Sequence, residues 1–314
     1  MNTEYNLIII LGPTASGKTS LAAKLASQLN TEIISADSRQ VYRDMDIGTG
    51  KDLDEYIVDG KLIPFHLINI AEAGDIYNLH QYQKDFFKVY DEIRAKNKIP
   101  VLCGGTSLYI NAIIKGHAHT EIPESPELRL ELEQKTKPEL VELFIALPDT
   151  PYKKIADTST MRRMIRAIEI CRWEENNVQK DNPASKDLKP IVFGLDPERE
   201  IRWKRIEERL DQRLKKGLIE EVQTLIKKGV PEERLMAYGL EYKFVLMHLK
   251  SELTFEQMQK QLTIAIQQFS KRQMTFFRKM EREGLNIHWI DFSLSEEQKL
   301  KTILQLILTN SPTH

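Results

Sequence analysis

Between an unbroken apolar run, Leu7-Ile8-Ile9-Ile10-Leu11, and an amphipathic stretch that begins at Lys18 stands Gly12-Pro13-Thr14-Ala15-Ser16-Gly17-Lys18-Thr19. The segment fits G-x-x-x-x-G-K-[ST], in which glycines let backbone N–H groups turn inward around phosphate oxygens while the next helix presents its positive end. Lys18 adds a point charge, and the Thr19 hydroxyl suits a Mg²⁺ ion that bridges phosphates. A chance glycine-rich turn would lack the strand before it and the helix after it. Taken alone, the loop suggests ATP and phosphoryl transfer.

The rest of the chain extends that strand–loop–helix unit. Apolar strands are expected at Glu32–Ala36, Ile99–Cys103 and Ile191–Leu195, separated by helical patterns such as Lys18–Gln28 with Leu21, Ala22 and Leu25 on one face. Strands alternating with helices imply an α/β fold, a P-loop NTPase-like parallel sheet flanked by helices. From 117 to 190 the pattern changes to short amphipathic helices, which reads as a helical insertion domain in a core made of 1–116 and 191–314. There Ser125-Pro126 opens a helix, Met161, Met164, Ile165 and Ile168 form a stripe with Arg162, Arg163 and Arg166 off it, and a polar connection follows at 175–183. After the insertion, Asp196-Pro197 is expected to cap a helix running toward Gly217. Thr254, with Gln257 three residues on, opens another that reaches about Gly284.

Charge does not direct this chain toward a polyanion as a whole: 45 Lys and Arg face 46 Asp and Glu, a net −1. Contact with nucleic acid must come from local patches. Cys103 and Cys171 have neither metal-ligand nor disulfide spacing, so reduced thiols and a cytoplasmic location are expected. Leu7–Leu11 is too short to span a membrane or to form the core of a signal peptide. A monomer without membrane attachment is expected.

Open parallel sheets bind ligands outside the carboxyl ends of their strands. Asp37, in Ser35-Ala36-Asp37-Ser38-Arg39-Gln40, should therefore stand near the phosphates as a general base, a partner of the metal, or simply a helix N-cap. Gly104-Gly105-Thr106 ends another strand and brings backbone and hydroxyl to the same side, or marks a plain turn. No apolar strand is read as ending in the magnesium-holding aspartate of nucleotide hydrolases, which favours group transfer. Positive charge concentrates at Arg162–Arg172, at Arg199–Lys216 and at Lys271–Lys279. The middle stretch reads as a solvated face, because Glu200, Glu207, Glu208 and Asp211 allow ion pairs along it. The last has few acids and includes Gln273, Phe276 and Phe277, which can stack on or bond to bases or pack in a core.

Taken together, GPTASGKT at 12–19, SADSRQVYRDMDIGTGK at 35–51, VLCGGTSLY at 101–109, RRMIRAIE at 162–169 and SKRQMTFFRK at 270–279 resemble the tRNA dimethylallyltransferases (tRNA isopentenyltransferases) over nearly the whole chain. The resemblance implies transfer of a prenyl group from dimethylallyl diphosphate to the exocyclic N6 amine of the adenosine beside the anticodon. It implies that residues 12–19 hold the diphosphate, that Mg²⁺ assists its departure, that Asp37 accepts the amine proton and that Thr106 lines the reaction channel. It also implies tRNA contacts at Asp37, Ser38, Arg39, Gln40 and Thr106, at Arg162, Arg163, Met164, Ile165 and Arg166, and at Lys271, Arg272 and Gln273. The competing readings are an adenylate isopentenyltransferase acting on free nucleotide and a non-catalytic P-loop RNA-binding protein.

The chain departs from the family's usual residues at several places. Arg39 stands where methionine is common, and Gly50 where alanine is. The usual Gly-Tyr-Arg/Lys-Gln/Glu appears as Gly239-Leu240-Glu241-Tyr242, Gln267 replaces a frequent arginine, Phe276 a frequent tryptophan, and the insertion is shortened between Leu132 and Pro148.

Overall fold

The computed structural model describes residues 4–116, 118–177 and 187–309, so part of the polar connection expected at 175–183 lies outside the described residues. Strands β1 (Leu7–Leu11), β2 (Ile33–Ser35), β5 (Phe65–His66), β6 (Val101–Gly104), β7 (Pro190–Leu195) and β8 (Ile287–Ile290) form a six-stranded sheet in the order β5-β2-β6-β1-β7-β8. Every pairing in it is parallel. The short pair β3 (Ile57–Val58) and β4 (Lys61–Leu62) makes a separate antiparallel hairpin.

Strand periodicity explains the layers. In β1, Ile8 and Ile10 face one side, where helix α1 (Lys18–Gln28) packs through Leu21, Leu25 and Ala26, and Ile303 and Ile307 of the C-terminal helix (Glu296–Thr309) cover the rest. Leu7, Ile9 and Leu11 face the other side. That side is covered by α2 (Leu79–Ala95) through Tyr82 and Phe86, by α3 (Ser107–Lys115) through Tyr109 and Ile110, and by Phe277. With both faces covered, the strands read as continuous apolar runs. Beyond the carboxyl ends of the strands, α7 (Arg199–Lys215), α8 (Leu218–Lys227), α9 (Glu232–Tyr238), α10 (Leu240–Leu249) and the long α11 (Phe255–Arg282) share a further core around Leu218, Leu235, Tyr242 and Leu262.

The chain divides into two compact units, 1–114 with 188–314, and 115–187. The second unit contains α4 (Pro126–Glu133), α5 (Lys137–Ala146) and α6 (Met161–Asn176) around Leu132, Leu140, Met164, Ile165 and Ile168. Ser125 caps α4 as expected, accepting from Leu128 N. Thr254 and Gln257 form the expected capping box of α11.

Two expectations need correction. Asp196 does not cap α7, whose N-cap is Glu198; Asp196 instead pairs with Arg202 and Arg278. An apolar strand does run into an aspartate, because β7 leads directly to Asp196 and β8 to Asp291. Those carboxylates make arginine pairs and a serine turn, respectively, and neither lines the pocket described below. Strand β8 and the C-terminal helix carry too weak a pattern to be read in advance.

Candidate active site

β1 is central in the sheet, and the loop it feeds forms one wall of a pocket. Ala15 (φ 62°) and Gly17 (φ 79°) both take left-handed backbone conformations, which turn successive N–H groups toward one concavity. Ser16 Oγ is a buried hydroxyl without a hydrogen-bond partner, the state expected of a group built to meet a phosphate oxygen. Lys18 Nζ reaches back to the Pro13 carbonyl at 3.3 Å. Burial pushes its ammonium down, against the opposing pull of Cys103 and Asp37. The Cys103 thiol is itself pushed up to about 12 by burial, so it is no nucleophile at neutral pH.

The second wall is the turn after β2. Asp37 is not a helix N-cap: it accepts from Arg39 N at 3.0 Å within a tight turn and lines the pocket with Lys18. Thr106 binds that turn from the end of β6, accepting from Ser38 N at 3.0 Å and donating to Ser38 Oγ at 3.3 Å. The approach is close because residue 104 is glycine; a Cβ there would lie 2.2 Å from the Ala36 carbonyl oxygen. Gly104-Gly105-Thr106 thus brings two strand ends together rather than marking a plain turn.

The third wall was not legible. The residues Arg209 and Arg213, read as part of a solvated face, point into the pocket from α7. Their spacing of four places both on one side of the helix. Arg209 donates to Asp52 Oδ2 at 2.6 Å, and Arg213 lies 3.5 Å from Glu241. Burial lowers the Arg213 guanidinium, and Arg209 adds to this. Asp52 and Glu55 also line the cavity, and sequence reasoning missed them too. Burial raises the Glu55 carboxyl, opposed by Arg209. The signal for all four is only that Gly50-Lys51-Asp52 and α7 turn out to be neighbours.

The run 41–51 is scaffold. Its backbone is gathered by Glu221, which accepts from Asp46 N, Ile47 N and Gly48 N at 2.8, 2.7 and 2.9 Å and from the Tyr242 hydroxyl at 2.7 Å. Lys51, fully buried, donates to the Tyr42 carbonyl and to Asp46.

The expected tRNA-contacting residues separate into three groups. Arg162, Arg163, Lys271 and Arg272 are exposed, although Arg163 also holds Asp157 at 2.9 Å. Met164 and Ile165 are buried in the insertion's own core, and Arg166 donates to the carbonyls of Ile122 and Pro123. Gln273 is buried as well: its oxygen accepts from Thr14 N at 2.9 Å, and its nitrogen donates to the Gly105 carbonyl at 2.8 Å. Met164, Ile165 and Arg166 are engaged within the insertion, while Gln273 clamps the loop 12–19 to the turn after β6 and also lines the pocket. Ser38, Arg39 and Gln40 stay at the pocket beside Asp37.

A parallel sheet with its phosphate loop, a carboxylate on the adjacent strand end and arginines from a later helix define a P-loop protein. A model of the IPP transferase family matches residues 40–280, and the chain belongs to that family. Over 307 residues it is 50% identical to tRNA dimethylallyltransferase 1 of Parabacteroides distasonis, which covers 97% of this chain and 98% of that one. It is 46% identical over 311 residues to tRNA dimethylallyltransferase 2 of Phocaeicola vulgatus, with coverage of 98% and 99%. Among solved structures it is similar to a full-length tRNA isopentenylpyrophosphate transferase from Bacillus halodurans, with a TM-score of 0.71, 31% identity and coverage of 98% and 97%.

Proposed function

We propose that this chain is a tRNA dimethylallyltransferase that uses dimethylallyl diphosphate and the N6 amine of the adenosine beside the anticodon. The observation that carries the reading is that Asp37 and Lys18 line one pocket in a chain matched end to end by proteins of that name. The N6 lone pair attacks the allylic carbon, the carbon–oxygen bond breaks, and its electron pair leaves on diphosphate. The amine proton passes to the Asp37 carboxylate. Backbone amides of 15–19, the Ser16 hydroxyl, Lys18 and Arg209 stabilise the charge on the departing oxygens.

A magnesium ion at such a loop takes most of its ligands from phosphate and water, so the protein share is small. Thr19 and Glu55, which both line the pocket, fit that share. When bound, the ion would neutralise the leaving diphosphate. The adenosine must leave its stacked loop to reach Asp37, so the tRNA needs a grip outside the pocket. Arg162, Lys271 and Arg272 are exposed cations suited to its backbone. The pocket is built wholly from one chain, so a monomer suffices. Among the described residues no helix is long and apolar enough to cross a membrane, in keeping with work on tRNA in the cytoplasm.

The test offers the protein, with Mg²⁺ and labelled dimethylallyl diphosphate, either unmodified tRNA or AMP. Label is expected on tRNA. Label on AMP alone would establish the free-nucleotide activity instead, and label on neither would leave an RNA-binding protein. Asp37→Ala should lower the rate by about 10²–10⁴ with tRNA binding kept; an undiminished rate would reassign the base.

A further inference from the structure

Arg39 and Gly50, from the segment after β2, and Glu241, from α10, meet on one side of the pocket. Arg39 Nη1 donates to Glu241 Oε2 at 3.2 Å, and its guanidinium lies 4.7 Å from the centre of the Phe269 ring. The other Glu241 oxygen lies 3.5 Å from Arg213 Nη1. Arg213 occupies the space above residue 50. A Cβ built on Gly50 would stand 1.8 Å from Arg213 Nη2, at a backbone φ of +65° that side chains seldom adopt. The Gly50 carbonyl accepts from Gln40 Nε2 at 3.1 Å.

These contacts close a ring. It starts at Asp37, whose carboxylate is held by Arg39 N, passes through the Arg39 side chain to Glu241, then to Arg213 and Gly50, and returns through Gln40 to the same turn. Glu241 is the hinge of the ring because it is 7% exposed and bridges two guanidiniums. A buried carboxylate so placed does not swing freely; leaving it would strand charges in a dry wall.

We infer that Glu241 is a positioning residue for Asp37, acting through Arg39, with Gly50 admitting the Arg213 side chain that completes its pairing. The inference rests on the proposed transfer reaction for its catalytic meaning. Misplacing a proton acceptor by a fraction of its hydrogen-bond length slows chemistry without weakening the binding of either substrate.

The test is a cycle of Glu241→Gln, Arg39→Met and the two together, read as kcat and KM for each substrate. Glu241→Gln is expected to lower kcat by about ten- to a hundredfold while both KM values stay within about twofold. The double variant should lose clearly less than the product of the two single effects, since Glu241 acts on Asp37 through Arg39 and keeps only the Arg213 side of the ring. Multiplying effects, or a loss confined to KM, would overturn the inference. Because Glu241→Gln leaves two half-buried guanidiniums together and can damage folding, Gly50→Ala provides a second route, with the same kcat loss expected in a chain that still unfolds cooperatively, its melting temperature lowered by the strain of a side chain at φ +65°. Amide hydrogen exchange at Ser38–Gln40 is read in every variant and should accelerate in Glu241→Gln and Gly50→Ala. Unchanged exchange would refute the ring whatever the enzyme transfers, whereas a wild-type protein that leaves tRNA unlabelled would refute the proposed reaction alone.

Discussion

Two buried glutamates in this molecule each sit between two arginines, and they are put to different use. In the insertion, Glu169 is 2% exposed and takes both prongs of the Arg129 fork at 2.9 Å, with a third donor at Ser125 N (3.0 Å). Its second arginine, Arg166, lies at 3.3 Å and spends its remaining donors on two backbone carbonyls. In the core, Glu241 makes one contact per oxygen, at 3.2 and 3.5 Å, to arginines that both line the pocket. The first cluster is a finished clasp between α4 and α6. The second is a looser one at the edge of the pocket. Identical residue types thus become scaffold or pocket wall according to how many of their partners' donors are already spent.

The largest effect expected from breaking this contrast is at the tighter clasp. Glu169→Gln should destabilise the insertion by about 3–5 kcal/mol, since it leaves two guanidiniums facing a neutral amide. Urea unfolding, with hydrogen exchange localised to 115–187, measures it; an unchanged profile would mean that the clasp is decorative. Arg209 tests the pocket side. Arg209→Gln is expected to raise KM for dimethylallyl diphosphate about tenfold or more, the worth of a charge-assisted hydrogen bond of about 1.5–3 kcal/mol, while the melting temperature stays put. If KM for tRNA moves instead, Arg209 faces the acceptor.

Arg166→Gln should cost about 1–2 kcal/mol of stability, because Arg129 still holds Glu169. Its tRNA affinity, measured by filter binding, should change less than that of Arg162→Gln. The reverse order would return Arg166 to the nucleic-acid surface.

The smallest effect is at a third buried carboxylate, at the opposite end of the strands. Burial disfavours the charge of Glu32, but hydrogen bonds from Lys96 and His66 outweigh it and hold the carboxyl at about 2, below the ordinary 4.5. The stabilisation is therefore complete above about pH 4.5 and is lost as pH falls toward 2. Glu32→Gln should lower stability by about 1 kcal/mol at neutral pH. The difference from wild type should close below pH 4.5, and a gap that persists at pH 2 would show that packing, not charge, holds Glu32.

Much of the sheet was readable because strands buried on both faces are apolar without interruption, as in Leu7–Leu11 and Ile191–Leu195. Short edge strands such as Phe65–His66 carry no such run. In the site, the loop 12–19 and the carboxylate at 37 were legible because a strand, a turn and the residue after it are local in sequence. That Met164, Ile165 and Gln273 are buried was not legible, because a shared motif does not say which of its residues face outward. Met161 and Met164 lie on one stripe, yet the first is exposed and the second buried.

The sequence by itself determined that a parallel sheet would place a phosphate loop and Asp37 at the same edge, since both follow from strand direction and from glycines at fixed spacing. Only the tertiary structure decided what surrounds them. Asp52 lies 157 residues from Arg209, while Arg213 and Glu241 sit on different helices, and each of these charges has a bland local reading on the surface of a helix or turn. Charge carries no periodic signature of its partner, and partners are chosen only when the helices beyond the sheet pack.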